Sequence, residues 1–223
     1  MDSKLSDLQN CIERGKASQD AAFPPDMKGQ PGATELVQTL LDEGMNPANI
    51  LNEALIPGMR EVGRRFQANE AFVPDMLVSA DAMKKSMNLL REELLKAKVE
   101  PKGTFIVGTV KGDLHDIGKN LVAMMIEGAG YHVVDLGVDT GADKFLAALD
   151  EYPNAIVGMS ALLTTTMGSM KGILETIRAT HPECRAIVGG APLTESFAQD
   201  INANGYAADP QGAVELLERL QVA

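Results

Sequence analysis

The sequence predicts an all-helical segment followed by a doubly wound parallel α/β domain. Three observations carry this expectation. Up to about residue 98 the apolar periodicity is helical, and nothing reads as a strand. VEPKG (99–103), rich in Pro, Gly and charge, reads as a linker. Beyond it, near-continuous apolar runs alternate five times with amphipathic stretches, as parallel strands buried on both faces do. The expected division is therefore a helical bundle over 1–98, a linker over 99–103 and an α/β domain over 104–223.

In the first part, residues 4–20 form the first expected helix, and the Pro/Gly-rich FPPDMKGQPG (23–32) interrupts it. ATELVQTLLDEGM (33–45) is the second helix. Asn46 suits the N-cap of a third and Pro47 its first helical position, and Pro57 must kink or restart that helix before it reaches Phe66. A last helix spans about 74–97. Its apolar residues Met76, Ala80, Met83, Met87, Leu90 and Leu94 step by four and three, which makes one stripe. Four helices on short connections make a small bundle.

In the second part, the expected strands are TFIVGTV (104–110), HVVDLGV (132–138), AIVGMSA (155–161), RAIVGG (185–190) and the short GYAAD (205–209). The helices between and after them cover about 119–130, 142–152, 166–181, 194–204 and 210–223. The most economical strand order is flavodoxin-like.

Composition narrows the function. Against 20 basic residues stand 31 acidic ones, a formal net charge of −11, which disfavours a nucleic-acid partner. No apolar run approaches the roughly 20 residues of a membrane span, and the N-terminus lacks the apolar stretch of a signal peptide. Cys11 and Cys184 are too far apart in sequence to suggest a disulfide framework or a metal-binding spacing. A soluble cytoplasmic protein is expected.

Ligands of such sheets bind beyond the carboxyl ends of the strands where the strand order reverses, here between the first and third. The loops at that point are KGDLHDIG (111–118) and SALLTTT (160–166). Asp113, two residues before His115, is placed to accept a hydrogen bond from one imidazole nitrogen. That would fix the tautomer and leave the other nitrogen for a metal or a proton. The alternative is an Asp/His pair that merely caps the next helix. Zinc is disfavoured, because His132 opens a strand and His181 ends a helix. His115-Asp116 also brings metal-dependent phosphohydrolases to mind, but the further His ligands they need are missing. Neither G-x-G-x-x-G nor a Walker sequence is present, and Ser160 stands where a phosphoacceptor domain needs Asp. Composition leaves an FMN site open.

D-L-H-D-I-G (113–118), S-A-L (160–162) and G-G (189–190) resemble the D-x-H-x-x-G … S-x-L … G-G pattern of cobalamin-binding domains. The intervening 119–159 and 163–188, 41 and 26 positions, have that family's spacing. NEALIPGMREVGRRF (52–66) and EAFVPDMLVSADAMK (70–84) are similar to the helical cap of methyl-carrying corrinoid proteins, and GMSALLTTTMGSMK (158–171) resembles the same group. The resemblance covers about 33–220 and fails over the first 32 residues.

The resemblance implies a flavodoxin-like five-stranded domain that binds cobalamin base-off and His-on, with His115 as the lower axial ligand of cobalt and the one metal ligand from the protein. Asp113 would tune His115. Thr166 would complete the relay at a position where serine is usual. Leu114, Asp116, Ile117 and Gly118 would belong to the same cofactor loop. The nucleotide tail would run beside Ser160, Leu162 and the Gly189-Gly190 turn, with Ser160 and Thr164 in reach of its base. Phe72, Met76 and Met83 would cover the upper face of the ring, and the 99–103 linker would be the hinge that uncovers it.

The implied function is a methyl carrier, not a complete enzyme, cycling between methyl-Co(III) and Co(I). Its implied partners are a TIM-barrel-type substrate:corrinoid methyltransferase, a corrinoid:folate or corrinoid:thiol methyltransferase, and a reductive activase. The methyl donor would be a methylamine, methanol, a betaine or a methoxyaromatic. A cobalamin sensor and a cobalamin-binding mutase subunit are the alternatives.

Overall fold

The structure is a computed structural model that describes residues 3–222. The chain divides into two compact units: one runs as far as Glu100 and includes Gly128–Gly130, and the other takes up the chain from Pro101.

In the helical unit, α1 (Ser3–Glu13) buries Leu5, Leu8, Cys11 and Ile12. It is shorter than its apolar pattern suggests because Gly15, at φ +67°, ends it. The Lys16 amide donates to the Cys11 carbonyl and the Gly15 amide to that of Ile12, the paired bonds of a glycine-terminated helix. Lys16 is then buried, with Nζ donating to the carbonyls of Ala21 (2.9 Å) and Gln19 (3.3 Å). α2 (Ala33–Asp42) begins where the Glu35 carboxylate accepts from the Gly32 amide at 2.8 Å.

Asn46 caps α3 (Pro47–Ile50), its side chain accepting from the Ala48 amide. A π-helical turn over Leu51–Leu55 then leads into α4 (Ile56–Gln67). Pro57 has no N–H to give, so the ladder widens ahead of it and the helix restarts. α5 (Val73–Lys96) packs against α1, α2 and α4.

In the other unit, β1 (Thr104–Thr109), β2 (His132–Asp135), β3 (Ile156–Ser160), β4 (Ala186–Gly189) and β5 (Gly205–Ala207) form one parallel sheet in the order β2-β1-β3-β4-β5. This is the flavodoxin-like order, which reverses between β1 and β3. The helices are α6 (Ile117–Gly128), α7 (Ala142–Glu151), α8 (Thr164–Met167), α9 (Ser169–Thr180), α10 (Glu195–Asp200) and α11 (Pro210–Val222). On one face Ile106, Val157, Met159 and Val188 pack with Phe145 and Leu149 of α7 and with Ile173, Leu174 and Ile177 of α9. Phe105, Val107 and Ile187 alternate to the other face.

Other elements also differ from expectation. β2 stops at Asp135, because Gly137 (φ +77°) and Asp139 (φ +49°) turn the chain. The helix expected over 166–181 is two helices, α8 and α9, parted at Gly168, and the first starts two residues earlier. Among the described residues no helix is long and apolar enough to cross a membrane.

Candidate functional site

The site is built on the loop between β1 and α6. Asp113 is fully buried and His115 is half-exposed. One Asp113 oxygen, Oδ1, accepts from the backbone amide of His115 (3.1 Å) and from His115 Nδ1 (2.8 Å), a turn that the two-residue spacing makes locally. The other, Oδ2, accepts from the Leu162 amide (2.9 Å), the Leu163 amide (3.3 Å) and Thr166 Oγ1 (2.6 Å). The Thr166 hydroxyl also lies 3.0 Å from the Leu163 carbonyl. Its single proton goes to the carboxylate, the shorter and charge-assisted bond. The extra methyl of threonine does not prevent it.

Five donors on a buried carboxylate settle its charge. Burial by itself would raise the Asp113 pKa, but the hydrogen bonds from Thr166, Leu162 and His115 outweigh it and hold the carboxyl well below the usual range. An ionised Asp113 keeps the His115 proton on Nδ1, so Nε2 carries a free lone pair. The pair therefore fixes the ring and leaves Nε2 with no hydrogen bond among the described residues. Among the described residues no three His, Cys, Asp or Glu side chains cluster to hold an ion. A single imidazole suits a metal whose other ligands come from its own macrocycle.

Two residues that sequence reasoning passed over hold this loop. Buried Thr109 donates to the His115 carbonyl at 3.0 Å. Asp139, beyond β2, accepts from the Gly112 amide at 2.8 Å. Neither sits in a motif. The only trace of Asp139 in the sequence is an acidic residue between glycines, in GVDTG.

Below the loop lies a cavity of about 520 Å³ between the sheet and helices α6 and α11. Its walls include Leu114, His115, Asp116, Ile117 and Gly118 from the first loop, Ser160 and Leu162 from the second, and Gly189 and Gly190 after β4. Three segments distant in sequence thus converge, because parallel register sets Thr109, Ser160 and Gly189 level across the sheet. Two glycines shape the cavity. A Cβ on Gly190, at φ +130°, would meet the Ala161 carbonyl oxygen at 1.8 Å, so no other residue fits. A Cβ on Gly158 would stand 2.2 Å from the Phe105 ring, which lies over the bare backbone. Leu114, Ile117, Leu162 and Leu163 leave large apolar side chains in solvent near His115, a surface that a flat macrocycle would cover.

The other expected site residues are not among those lining this cavity. Thr164 opens α8, is exposed and does not line the cavity. In the helical unit, Phe72 is 64% exposed whereas Met76 and Met83 are 2% and 3% exposed, so the three share no open face. Met76 and Met83 lie along the buried stripe of α5 with Ala80, Leu90 and Leu94, where apolar burial is gained within the helical packing.

Known proteins resemble this chain in sequence and fold. Residues 103–215 match the model of the B12 binding domain family, and residues 30–91 match a second B12 binding domain model. A corrinoid protein of Desulfitobacterium hafniense (strain Y51) is 38% identical over 191 residues, 83% of this chain and 88% of that one. Trimethylamine corrinoid protein 1 of Methanosarcina acetivorans is 37% identical over 178 residues, 78% and 82% of the two chains. The crystal structure of the methanol:cobalamin methyltransferase complex MtaBC from Methanosarcina barkeri matches with a TM-score of 0.80 at 25% identity, covering 100% of this chain and 81% of that one. By its matching domains and its relatives, the chain belongs to the cobalamin-binding corrinoid proteins of methyltransferase systems.

Proposed function

We propose that this methyl carrier holds its cobalamin base-off, with His115 Nε2 as the lower axial ligand of cobalt and the nucleotide tail in the cavity beneath. The observation that carries the reading is the oriented imidazole at the rim of that cavity, its Nδ1 tied to Asp113 and its Nε2 uncommitted. The apolar side chains around it and the glycine-lined walls suit a flat macrocycle with a long tail.

When bound, the corrinoid supplies the cobalt that accepts and releases the methyl group. The protein binds and orients. Asp113 keeps the imidazole proton on Nδ1 and makes His115 a better donor. Thr166 and the two backbone amides keep Asp113 ionised. Thr109 and Asp139 hold the loop in register, and Gly189 and Gly190 let the backbone approach the tail. Leu114, Ile117 and Leu162 would offer their exposed apolar side chains to the corrinoid.

One partner methyltransferase loads the carrier from a small methylated donor, a methylamine, methanol, a betaine or a methoxyaromatic. A second would unload it to a folate or a thiol, and a reductive activase would be the third partner. The support is the company its relatives keep: one structural neighbour is a methanol:cobalamin methyltransferase complex, and one sequence relative is a trimethylamine corrinoid protein.

Electron paramagnetic resonance tests the ligand. Protein loaded with Co(II)-cobalamin should show coupling to one axial nitrogen, and His115→Ala should lose it while still binding cofactor. Coupling that persists in the variant would rule His115 out. Turnover with candidate donor methyltransferases, each supplied with its own substrate, then names the donor.

A further inference from the structure

The loop that carries His115 is braced on both sides by two acidic residues, one at the end of β2 and one in the turn beyond it. Ahead of His115, the Asp139 carboxylate accepts from the Gly112 amide at 2.8 Å, and the Asp139 amide donates to the Asp113 carbonyl at 3.1 Å. Behind it, both oxygens of Asp135 accept from Lys119 Nζ, at 2.7 and 2.5 Å. Lys119 Nζ also donates to Asn120 Oδ1 at 2.6 Å, and Asn120 Nδ2 donates to Asp116 Oδ2 at 3.1 Å. Asp135 is itself oriented by the Gly137 amide at 2.9 Å. Gly112 and Asp116 stand on either side of His115 in the chain.

Two of these residues work against the local structure around them. Lys119 is 2% exposed, so its ammonium has given up its hydration. It is also the third residue of α6, at the end of a helix whose peptide dipoles disfavour a cation. A methionine would fill the same space without either penalty. Asp139 holds a left-handed backbone at φ +49°, which costs any residue with a side chain and Asp or Asn least. Departures from local preference mark places where a residue serves something other than its own element. Here both departures end on one loop.

We propose that Lys119, Asp135 and Asp139 are positioning residues for the axial ligand, holding the 111–118 loop from both ends so that His115 presents Nε2 in one fixed position. The proposal rests on the preceding reading of His115 as the cobalt ligand. The contact with Asp113 fixes the ring within its loop, whereas these three residues tie the loop to β2 and α6. A loop released at one end gains conformations, and each coordination must remove them again, which weakens binding. Lys119 also borders the cavity, so positioning has to be separated from a direct contact with the cofactor.

A double-mutant cycle with His115→Ala makes that separation. In equilibrium dialysis of the apoprotein against cobalamin, Lys119→Met and Asp139→Gly should each bind about fivefold more weakly than the native chain. In the His115→Ala background neither substitution should weaken binding further. Asp139→Gly removes the carboxylate yet suits the positive φ, and Asp139→Asn, which keeps an acceptor and tolerates that φ, should restore native affinity. Lys119→Met should unfold in urea no more easily than the native apoprotein, because Asp135, 40% exposed, keeps its water when its partner is gone. Electron paramagnetic resonance of the two weakened variants loaded with Co(II)-cobalamin should show part of the signal without axial nitrogen coupling. Equal losses of affinity with and without His115 would mean direct contact or general damage and overturn the positioning role. Native affinity in both Lys119→Met and Asp139→Gly would overturn it as well. If His115→Ala itself keeps native affinity and the nitrogen coupling, the ligand assignment fails and the positioning role falls with it.

Discussion

At the scale of single residues, the site turns on Asp113. Its depressed pKa is a statement about stability. A carboxyl more acidic in the folded state than in the unfolded chain contributes stability that is fully present above the ordinary value of about 3.9 and is lost as pH falls toward the folded one. Acid unfolding should therefore begin below pH ~4 and be shallower in Asp113→Asn, which denaturant titrations at several pH values would show. Asp113→Ala goes further, leaving three amides and His115 Nδ1 without their acceptor. It should cost at least about 2 kcal/mol in urea unfolding of the apoprotein. The buried cysteines are chemically quiet by comparison. Burial, aided by Asp7, pushes the Cys11 thiol up to about 11, and burial raises Cys184, so both should react slowly with alkylating reagents at neutral pH.

At the scale of elements, the loops are held from outside their own sequence. Asp139 reaches 27 residues back to the Gly112 amide. Asp139→Ala should speed hydrogen exchange at Gly112 and its neighbours while lowering global stability by only about 1 kcal/mol. Gly190→Ala should be far more damaging, because the new Cβ meets backbone and not a flexible side chain. A loss of about 3 kcal/mol or failure to fold is expected, read from thermal unfolding. Most elements were legible from the sequence, since continuous apolar strands and the stripe of α5 declare their own period. The misses have local causes. Gly15 ends α1 early, Gly137 and Asp139 cut β2 short, and α8 forms early behind Leu162 and Leu163, whose amides turn toward Asp113. A pattern of apolar residues registers none of these, because each is a backbone event at one or two positions.

For the whole molecule, cobamide binding should act on the α/β unit in three places at once. Loops 111–118, 160–166 and 189–190 are expected to gain hydrogen-exchange protection together, and ligand at 100 times its dissociation constant should add about 2.7 kcal/mol to that unit's stability. Sequence alone determined the α/β alternation, the three motifs and the local pairing of Asp113 with His115, because strand periodicity and a two-residue turn are short-range properties. Only the tertiary structure decided that Asp113 stays ionised, since the donors that hold its charge, Leu162, Leu163 and Thr166, lie 49, 50 and 53 residues away. It also decided that Thr109 and Asp139 support the loop, that Met76 and Met83 are buried, and that Gly158 and Phe105 shape the cavity. These follow from sheet register and packing, which bring together residues that no local pattern connects.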